Sequence, residues 1–599
     1  MSNSTRILVI LAAVCFAVLW FANLQYRDLF QTDEGRYAEI PREMVASGDW
    51  LTPRLDGLKY FEKPALQYWT TAVAYELFGQ SNWTSRLWTA LTGFLGVLMT
   101  AWVGWRLFDR RTAWCAALLL GSGMYYIIMG HFNTLDMGVS FFMCMSAFAF
   151  LLAMQSADDA QGSASAARPL EVPEGGGGRG APIGAPGAAD AQGSASAAGG
   201  RTPGAAASNI ARRRGWMYLA WAAAALGMLS KGLEAVVLPG AVFIIYTLIS
   251  RDWKRWKQLH WYGGVIIFLI IAAPWFVAVS LRNPEFFHHF FIYEHFQRFL
   301  TPVAHRPGAW WYFIPVLLFG LLPWWPQFVR SIVRVFWRAD ANAQTSGFHY
   351  TLFLWIWCVL IFVFFSFSDS KLMSYILPIM PALALIIGRE LAQRRRGDVF
   401  ISAILCMLLA IVGLWLAPLL QRDGGNVSLE LYKAFLPWLV VGCALLLIIA
   451  IAGFFTAYFR QVGVAMALLG VALFLATQVV TTGAQVFSPV YSGHSLAKQI
   501  NAYNKPGIPF YSLNDYQQSL PFYLKRTLTL VAYQGELAFG ISREPDQWIP
   551  TLPDFIARWQ NDPQALAVMP ITTYNELAKQ GVPMQVIGRD PERVAVKKP

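Results

Sequence analysis

Charge is scarce in this chain. Only 14% of its 599 residues are Asp, Glu, Lys or Arg, and 56% are hydrophobic, whereas soluble domains carry about a quarter charged residues. An ordinary soluble enzyme is thereby excluded. Cysteine is sparse too. Cys15, Cys115, Cys144, Cys358, Cys406 and Cys443 all fall inside apolar runs and none forms a CxxC pair. A disulfide framework or thiolate metal site has no support, and buried apolar thiols are the default. The chain has no P-loop, no GxSxG elbow and no HExxH, so nothing points to nucleotide-driven chemistry. It also has no repeated halves of the kind that mark many transporters.

What is present is a series of apolar runs, several reaching the roughly 20 residues that cross a bilayer. The expectation is a polytopic α-helical membrane protein with thirteen spans, near 6–24, 83–106, 112–130, 135–154, 216–230, 233–250, 262–281, 310–329, 350–367, 373–389, 399–418, 435–457 and 462–483. The first resembles a signal sequence, but no small-residue cleavage site follows, so it reads as a retained span. Residues 63–79, "KPALQYWTTAVAYELFG", read as a juxtamembrane helix at headgroup level.

Basic loops set the orientation. Arg106, Arg110 and Arg111, then Arg212–Arg214, Arg251 with Lys254, Arg255 and Lys257, Arg330 with Arg334 and Arg338, and Arg394–Arg396 occupy alternate loops. Lys and Arg stay cytoplasmic, which puts a loop from about 25 to 82, another from 282 to 308 and the tail after Phe487 on the outer side. The net charge of +12 belongs to these loops; no nucleic-acid motif accompanies it.

The expected organisation is a transmembrane domain over 1–487 and a small outer α/β domain over 488–599, where strand-like runs ("PFYSL", "TLTLVAY", "ALAVMPI") alternate with helix-like ones. Residues 156–214 are low complexity, with "AQGSASAA" at 160–167 and again at 191–198. They read as a disordered cytoplasmic insertion.

The polar residues of the outer face cluster. "QTDEGRYAEIPREM" leaves the first span with Asp33, Glu34, Arg36, Glu39, Arg42 and Glu43. "YFEKPALQYW" places Tyr60, Glu62 and Lys63 before the juxtamembrane helix, where a lysine suits a lipid phosphate. "GHFNTLDMG" puts His131 and Asp136 in a short turn at a depth where an acid needs a cavity or a partner. "YEHFQRFLTPVAHRPGAWWYF" adds Glu294, His295, Arg298 and His305. Four such clusters on one face describe a polar cavity. Without nucleotide, an extracytoplasmic enzyme can use a preactivated, lipid-linked sugar, with cations on the donor phosphate and carboxylates on the sugar or nucleophile.

These motifs, with "SKG", "HRPGAWWYFIPVLLFGLLPW" and "KLMSYILPIMPALAL", resemble the integral-membrane glycosyltransferases of the C-type fold over about 6–390. The nearest resemblance is to the aminoarabinose transferases that modify lipid A, relatives of the protein O-mannosyltransferases. The resemblance implies transfer of 4-amino-4-deoxy-L-arabinose from undecaprenyl phosphate to a lipid A phosphate, with inversion, at the periplasmic face of a bacterial inner membrane, conferring resistance to cationic antimicrobial peptides such as polymyxin. It implies catalytic roles for Asp33, Glu34 and Asp136, with Glu62 and Lys63 beside the carrier phosphate. Arg36, Tyr60 and Arg298 join the substrate-binding set.

Alternatives remain at this point. Lys231 in "LSKG" and Lys371 in "SDSKL" either snorkel or line the donor cavity. Asp33 is a general base if the acceptor is a hydroxyl, and a positioning group if it is a phosphate. A divalent metal on Glu62 with His288, His289 or His295 is conceivable, though no ligand spacing is diagnostic. The alternative enzyme moves another sugar from polyprenyl phosphate to protein or another glycolipid, and a transporter or flippase is the alternative class.

Overall fold

The computed structural model describes residues 3–166, 203–297, 308–337, 347–421 and 427–599. Each expected span lies on a helix or a broken helix, but their lengths differ. Seven described helices are long and apolar enough to cross a membrane: Asn82–Leu107, Leu135–Asp158, Trp261–Arg282, Tyr350–Phe367, Arg396–Leu419, Leu429–Tyr458 and Val462–Tyr491. Two further pairs are sharply bent, Arg110–Ser122 with Met124–Gly130 by 65° and Phe313–Gly320 with Trp325–Val335 by 113°. The seven become nine if each pair counts as one span. The second break falls where Pro323 removes a helical donor. Shorter apolar helices cover Ile10–Ala22 and Glu234–Ser250. The expected span at 373–389 is a 3₁₀ turn followed by a helix of only 13 residues, Ile379–Leu391. The expected juxtamembrane segment is a helix, Leu66–Phe78. At about 1.5 Å per residue it is roughly 20 Å long, too short for a 30 Å hydrocarbon core.

Helix also extends into the segment expected to be disordered. The Leu135 helix runs to Ala166, and the next begins at Pro203. Alanine-rich sequence propagates a helix already nucleated by a packed span. Residues 167–202 lie outside the described residues.

The tail folds as an α/β domain. After the hairpin strands β1 (Arg54–Leu55) and β2 (Leu58–Lys59) of the first outer loop, six more strands follow. They are β3 (Phe510–Leu513), β4 (Thr529–Val531), β5 (Trp548–Ile549), β6 (Leu566–Pro570), β7 (Gln585–Arg589) and β8 (Arg593–Lys597). They form one sheet in the order β5-β4-β3-β6-β8-β7. The β3–β4, β3–β6 and β4–β5 pairs are parallel, while β8 runs antiparallel to both β6 and β7. The strand-like runs noted in the sequence supply β3, β4 and β6. The helices Leu552–Asn561 and Ile571–Lys579 match the helix-like ones.

The tail is locked to the first outer loop. Asp56 and Gly57 form a two-residue turn with both φ positive, as a tight hairpin turn demands. Glu43 accepts from both of their amides at 2.6 and 2.9 Å. The Asp56 carboxylate then accepts from Leu528 N at 2.7 Å, and Arg54 pairs with Glu544 at 2.9 Å. Gly35 lies where a Cβ would sit 2.5 Å from Ser519 N, so only glycine lets the two backbones approach. An apolar core continuous across the junction joins Tyr37, Ile40, Leu55, Tyr60 and Tyr68 to Tyr516, Leu530 and Ile541. Loop and tail therefore share one side of the bundle.

Asp28 is the other clasp. His494 Nδ1 lies 2.6 Å from it, and Ser488 and Gln485 donate to it at 2.5 and 2.8 Å. Burial pushes its carboxyl up, but these hydrogen bonds outweigh burial and bring it down to about 2. A depressed carboxylate pKa stabilises the folded state above its ordinary value of 3.8, and the contribution is lost as pH falls toward 2. Limited proteolysis of the tail should accelerate between those values in wild type. Asp28→Asn should show the faster cleavage already at neutral pH; equal cleavage of the two at neutral pH would remove the clasp.

Candidate active site

The charged stretch after the first span is a buried helix, Asp33–Ser47, rather than a solvated loop. Its carboxylates divide into different roles. Glu34 is wholly buried and fully occupied. Arg27 reaches its two oxygens at 2.5 and 3.0 Å, and Arg86 forks onto them at 2.7 and 2.9 Å. The amides of Phe30 and Asn133 donate at 3.0 Å each. Burial alone would push its carboxyl up; the two guanidiniums win and hold it near 2. Saturated in this way, Glu34 has no lone pair directed at a substrate. It ties together the loop after the first span, the base of the Asn82–Leu107 span and the turn that leads to Asp136.

Asp33, next to it, is about one-third exposed and faces Arg36 at 3.4 Å. Arg36 also pairs with Glu536 from the tail, and Gln518 donates to Glu536 at 2.9 Å. Burial, with Glu62 and Asp33 nearby, pushes the Glu536 carboxyl up despite Arg36. Tyr37, Tyr60 and Tyr68 pack around the same group, and burial raises each phenol, so all three remain neutral. Among the described residues, the hydroxyls of Tyr60 and Tyr68 and Arg36 Nε are buried without a hydrogen-bond partner. Lys63 lies 3.6 Å from Glu294. Asp33, Arg36, Tyr60 and Glu62 thus lie near one another, and Glu536 joins them.

A second cluster lies at the start of the Leu135 helix. Lys231 pairs with Asp136 at 2.5 Å and Glu234 at 3.3 Å, with its ammonium 4.8 Å from the Tyr375 ring centre. Lys231 does not snorkel. A narrow cavity runs between Asp136, Ser140, Lys231, Glu234, Ser374 and Tyr375. The clusters are neighbours: Leu135 packs with Tyr37, Tyr60 and Tyr68, and Gln67, at the start of the juxtamembrane helix, donates to Asn133 at 3.1 Å. Lys371 is otherwise engaged, donating to the carbonyls of Ser366 and Ser368 at 2.8 and 2.7 Å and so closing the end of the Tyr350–Phe367 helix. The snorkelling reading also fails for it, because the side chain is buried. Arg298 and His305 lie outside the described residues, as does the His295 side chain. No group of three or more metal-ligating side chains occurs among the described residues.

The fold and these clusters define an integral-membrane glycosyltransferase of the C type. Family models agree. The aminoarabinose transferase C-terminal domain matches residues 496–598, and dolichyl-phosphate-mannose-protein mannosyltransferase models match 5–168 and 206–277. The undecaprenyl phosphate-alpha-4-amino-4-deoxy-L-arabinose arabinosyl transferase of Pseudomonas aeruginosa (strain LESB58) is 30% identical over 72% of this chain and 69% of its own length. The enzyme so named from Proteus mirabilis (strain HI4320) is 28% identical over 96% and 92%. The crystal structure of ArnT from Cupriavidus metallidurans bound to undecaprenyl phosphate superposes with a TM-score of 0.85 at 34% identity, covering 100% of this chain and 98% of that one. The apo form gives 0.84. The chain belongs to the family of undecaprenyl phosphate–aminoarabinose arabinosyl transferases.

Proposed function

We propose that the chain moves 4-amino-4-deoxy-L-arabinose from undecaprenyl phosphate to a phosphate of lipid A at the periplasmic face of the inner membrane. The observation that carries the reading is the convergence of Asp33 and Glu536 on a single arginine, Arg36. Two carboxylates against one guanidinium leave negative charge uncompensated, and the Glu536 carboxyl is raised first by burial and further by the acids near it. A cationic sugar amine supplies the missing charge. The Tyr60 and Tyr68 hydroxyls offer hydrogen bonds to sugar oxygens. A neutral hexose would leave the excess charge in place, which disfavours the mannosyl alternative.

In this reading an acceptor phosphate oxygen attacks the anomeric carbon from the face opposite the donor phosphate. The bond from that carbon to the phosphate oxygen breaks, and undecaprenyl phosphate leaves with both electrons. Lys63, at headgroup depth, holds the departing phosphate, with Glu294 keeping the ammonium in place when no phosphate is present. Asp136 and Lys231 form the second wall. Glu34 positions both walls. An acceptor phosphate is already ionised at neutral pH, so no strong general base is needed, and Asp33 orients the amine.

Lys63→Ala should weaken binding of undecaprenyl phosphate by about 10- to 150-fold, the loss of one charged hydrogen bond, with the melting temperature unchanged. Unchanged affinity would take Lys63 out of the phosphate site. The function itself is tested by mass spectrometry of lipid A from cells with and without the gene. A gain of one aminopentose on a phosphate is expected; unmodified lipid A from expressing cells supplied with the donor would refute it.

A further inference from the structure

The end of the bundle opposite this site carries a second opening that the transfer reaction does not use. Ser374 lines the Asp136–Lys231 cavity, and the Ile379–Leu391 helix then runs roughly 20 Å away from it. Where that helix ends, a groove of about 690 Å³ opens between it, the Arg396–Leu416 helix and the bent Trp325–Trp337 helix.

The bent helix is the informative element. It turns by 113° from Phe313–Gly320. It buries Gln327 and Ser331 and exposes Val329 and Val333 at 55% and 46%. A helix washed by water would do the opposite. Ile401, across the groove, is also exposed. Beside these apolar side chains stand three arginines. Arg330 reaches Asp398 through Nε at 2.8 Å, and its terminal amino groups have no partner among the described residues. Arg334 pairs with Glu390 at 2.8 Å. Arg395 is exposed and, among the described residues, its hydrogen bonds go to Gln393, at 2.8 Å. Arg389, Arg394 and Arg396 turn instead to Phe108, Gly463 and Tyr458, so three arginines of the groove stand against two carboxylates, Glu390 and Asp398.

We propose that this groove is a binding site for an anionic glycerophospholipid. Its phosphodiester sits on Arg330 and Arg395, and an acyl chain lies along Val329, Val333 and Ile401. Apolar side chains exposed beside cations call for a ligand with a hydrocarbon chain joined to an anion. Basic pockets between helices at a membrane surface take such headgroups. A soluble anion satisfies the arginines but leaves the valines in water.

The test uses the full-length protein purified in detergent, with lipid retention read by native mass spectrometry. Wild type should retain phosphatidylglycerol in preference to phosphatidylethanolamine. Arg330→Gln with Arg395→Gln should cut phosphatidylglycerol retention about 25-fold, from roughly fivefold per arginine. Val333→Trp, which fills the groove and leaves every charge in place, should lower it as well. Undecaprenyl phosphate retention and transfer activity should not change in either variant. Should the double variant fail to melt cooperatively, Arg395→Gln alone and Val333→Trp carry the comparison. Unchanged phosphatidylglycerol retention in the folded variants would overturn the proposal. So would displacement of the lipid by an equal concentration of inorganic phosphate, or a parallel loss of undecaprenyl phosphate, which would assign the groove to the donor.

Discussion

Arg86→Ala should destabilise the protein by about 3–5 kcal/mol, the cost of breaking a buried charge pair by removing one partner. That is a large part of a typical total of about 5–15 kcal/mol. Arg86 is buried with only 1% of its side chain exposed. Besides forking onto Glu34, it donates to the carbonyls of Leu24, Arg27 and Asp28 at 2.8, 2.5 and 2.8 Å. Its loss leaves three buried acceptors without a donor and Glu34 with one guanidinium instead of two. Arg86→Lys should rescue only partly, because an ammonium cannot reproduce the planar fork. Thermal unfolding in detergent reads the effect. An unaltered transition in Arg86→Ala would show that the clasp on Glu34 adds nothing, and with it would fall the positioning role given to Glu34.

Asp33→Asn should lower kcat/KM by about 10- to 150-fold through loss of one charged hydrogen bond, with the melting transition unchanged. The residue is one-third exposed, and its recorded charged neighbour is Arg36 at 3.4 Å, so little of the fold depends on it. The size and form of the loss separate the two roles for this carboxylate. A positioning group acts on binding as well as turnover. A general base typically supplies about 10²–10⁴-fold in rate, and its loss falls on turnover. With a phosphate acceptor the first pattern is expected.

The sequence revealed the apolar spans, the outer loop that carries DEGRY and YFEKP, and the α/β character of the tail. These rest on run length, motif and alternation, which are local. What it hid is three-dimensional. The Asp33–Ser47 helix contains Pro41 and four carboxylates, a composition that reads as a solvated loop until Arg27, Arg86, Arg42 and the tail are packed around it. Arg86 stands at the foot of an apolar run and looks like a loop cation. Glu536 is some 500 residues from Asp33 with no motif around it, and only docking of the tail brings it to Arg36. Glu34 and Asp33 are adjacent and chemically alike. Their different roles follow from which face of one helix turns toward two guanidiniums. The bends of 65° and 113° are equally invisible to periodicity, which measures apolar length and not direction.

The most direct test of the account is transfer by the purified protein from undecaprenyl phosphate–linked aminoarabinose, with lipid A and a Ser/Thr peptide offered as rival acceptors. Wild type should modify lipid A and leave the peptide untouched. Asp33→Asn should be impaired on lipid A in binding as well as turnover. Sugar appearing on the peptide and not on lipid A would contradict the acceptor, the positioning role of Asp33 and the reading of the site together.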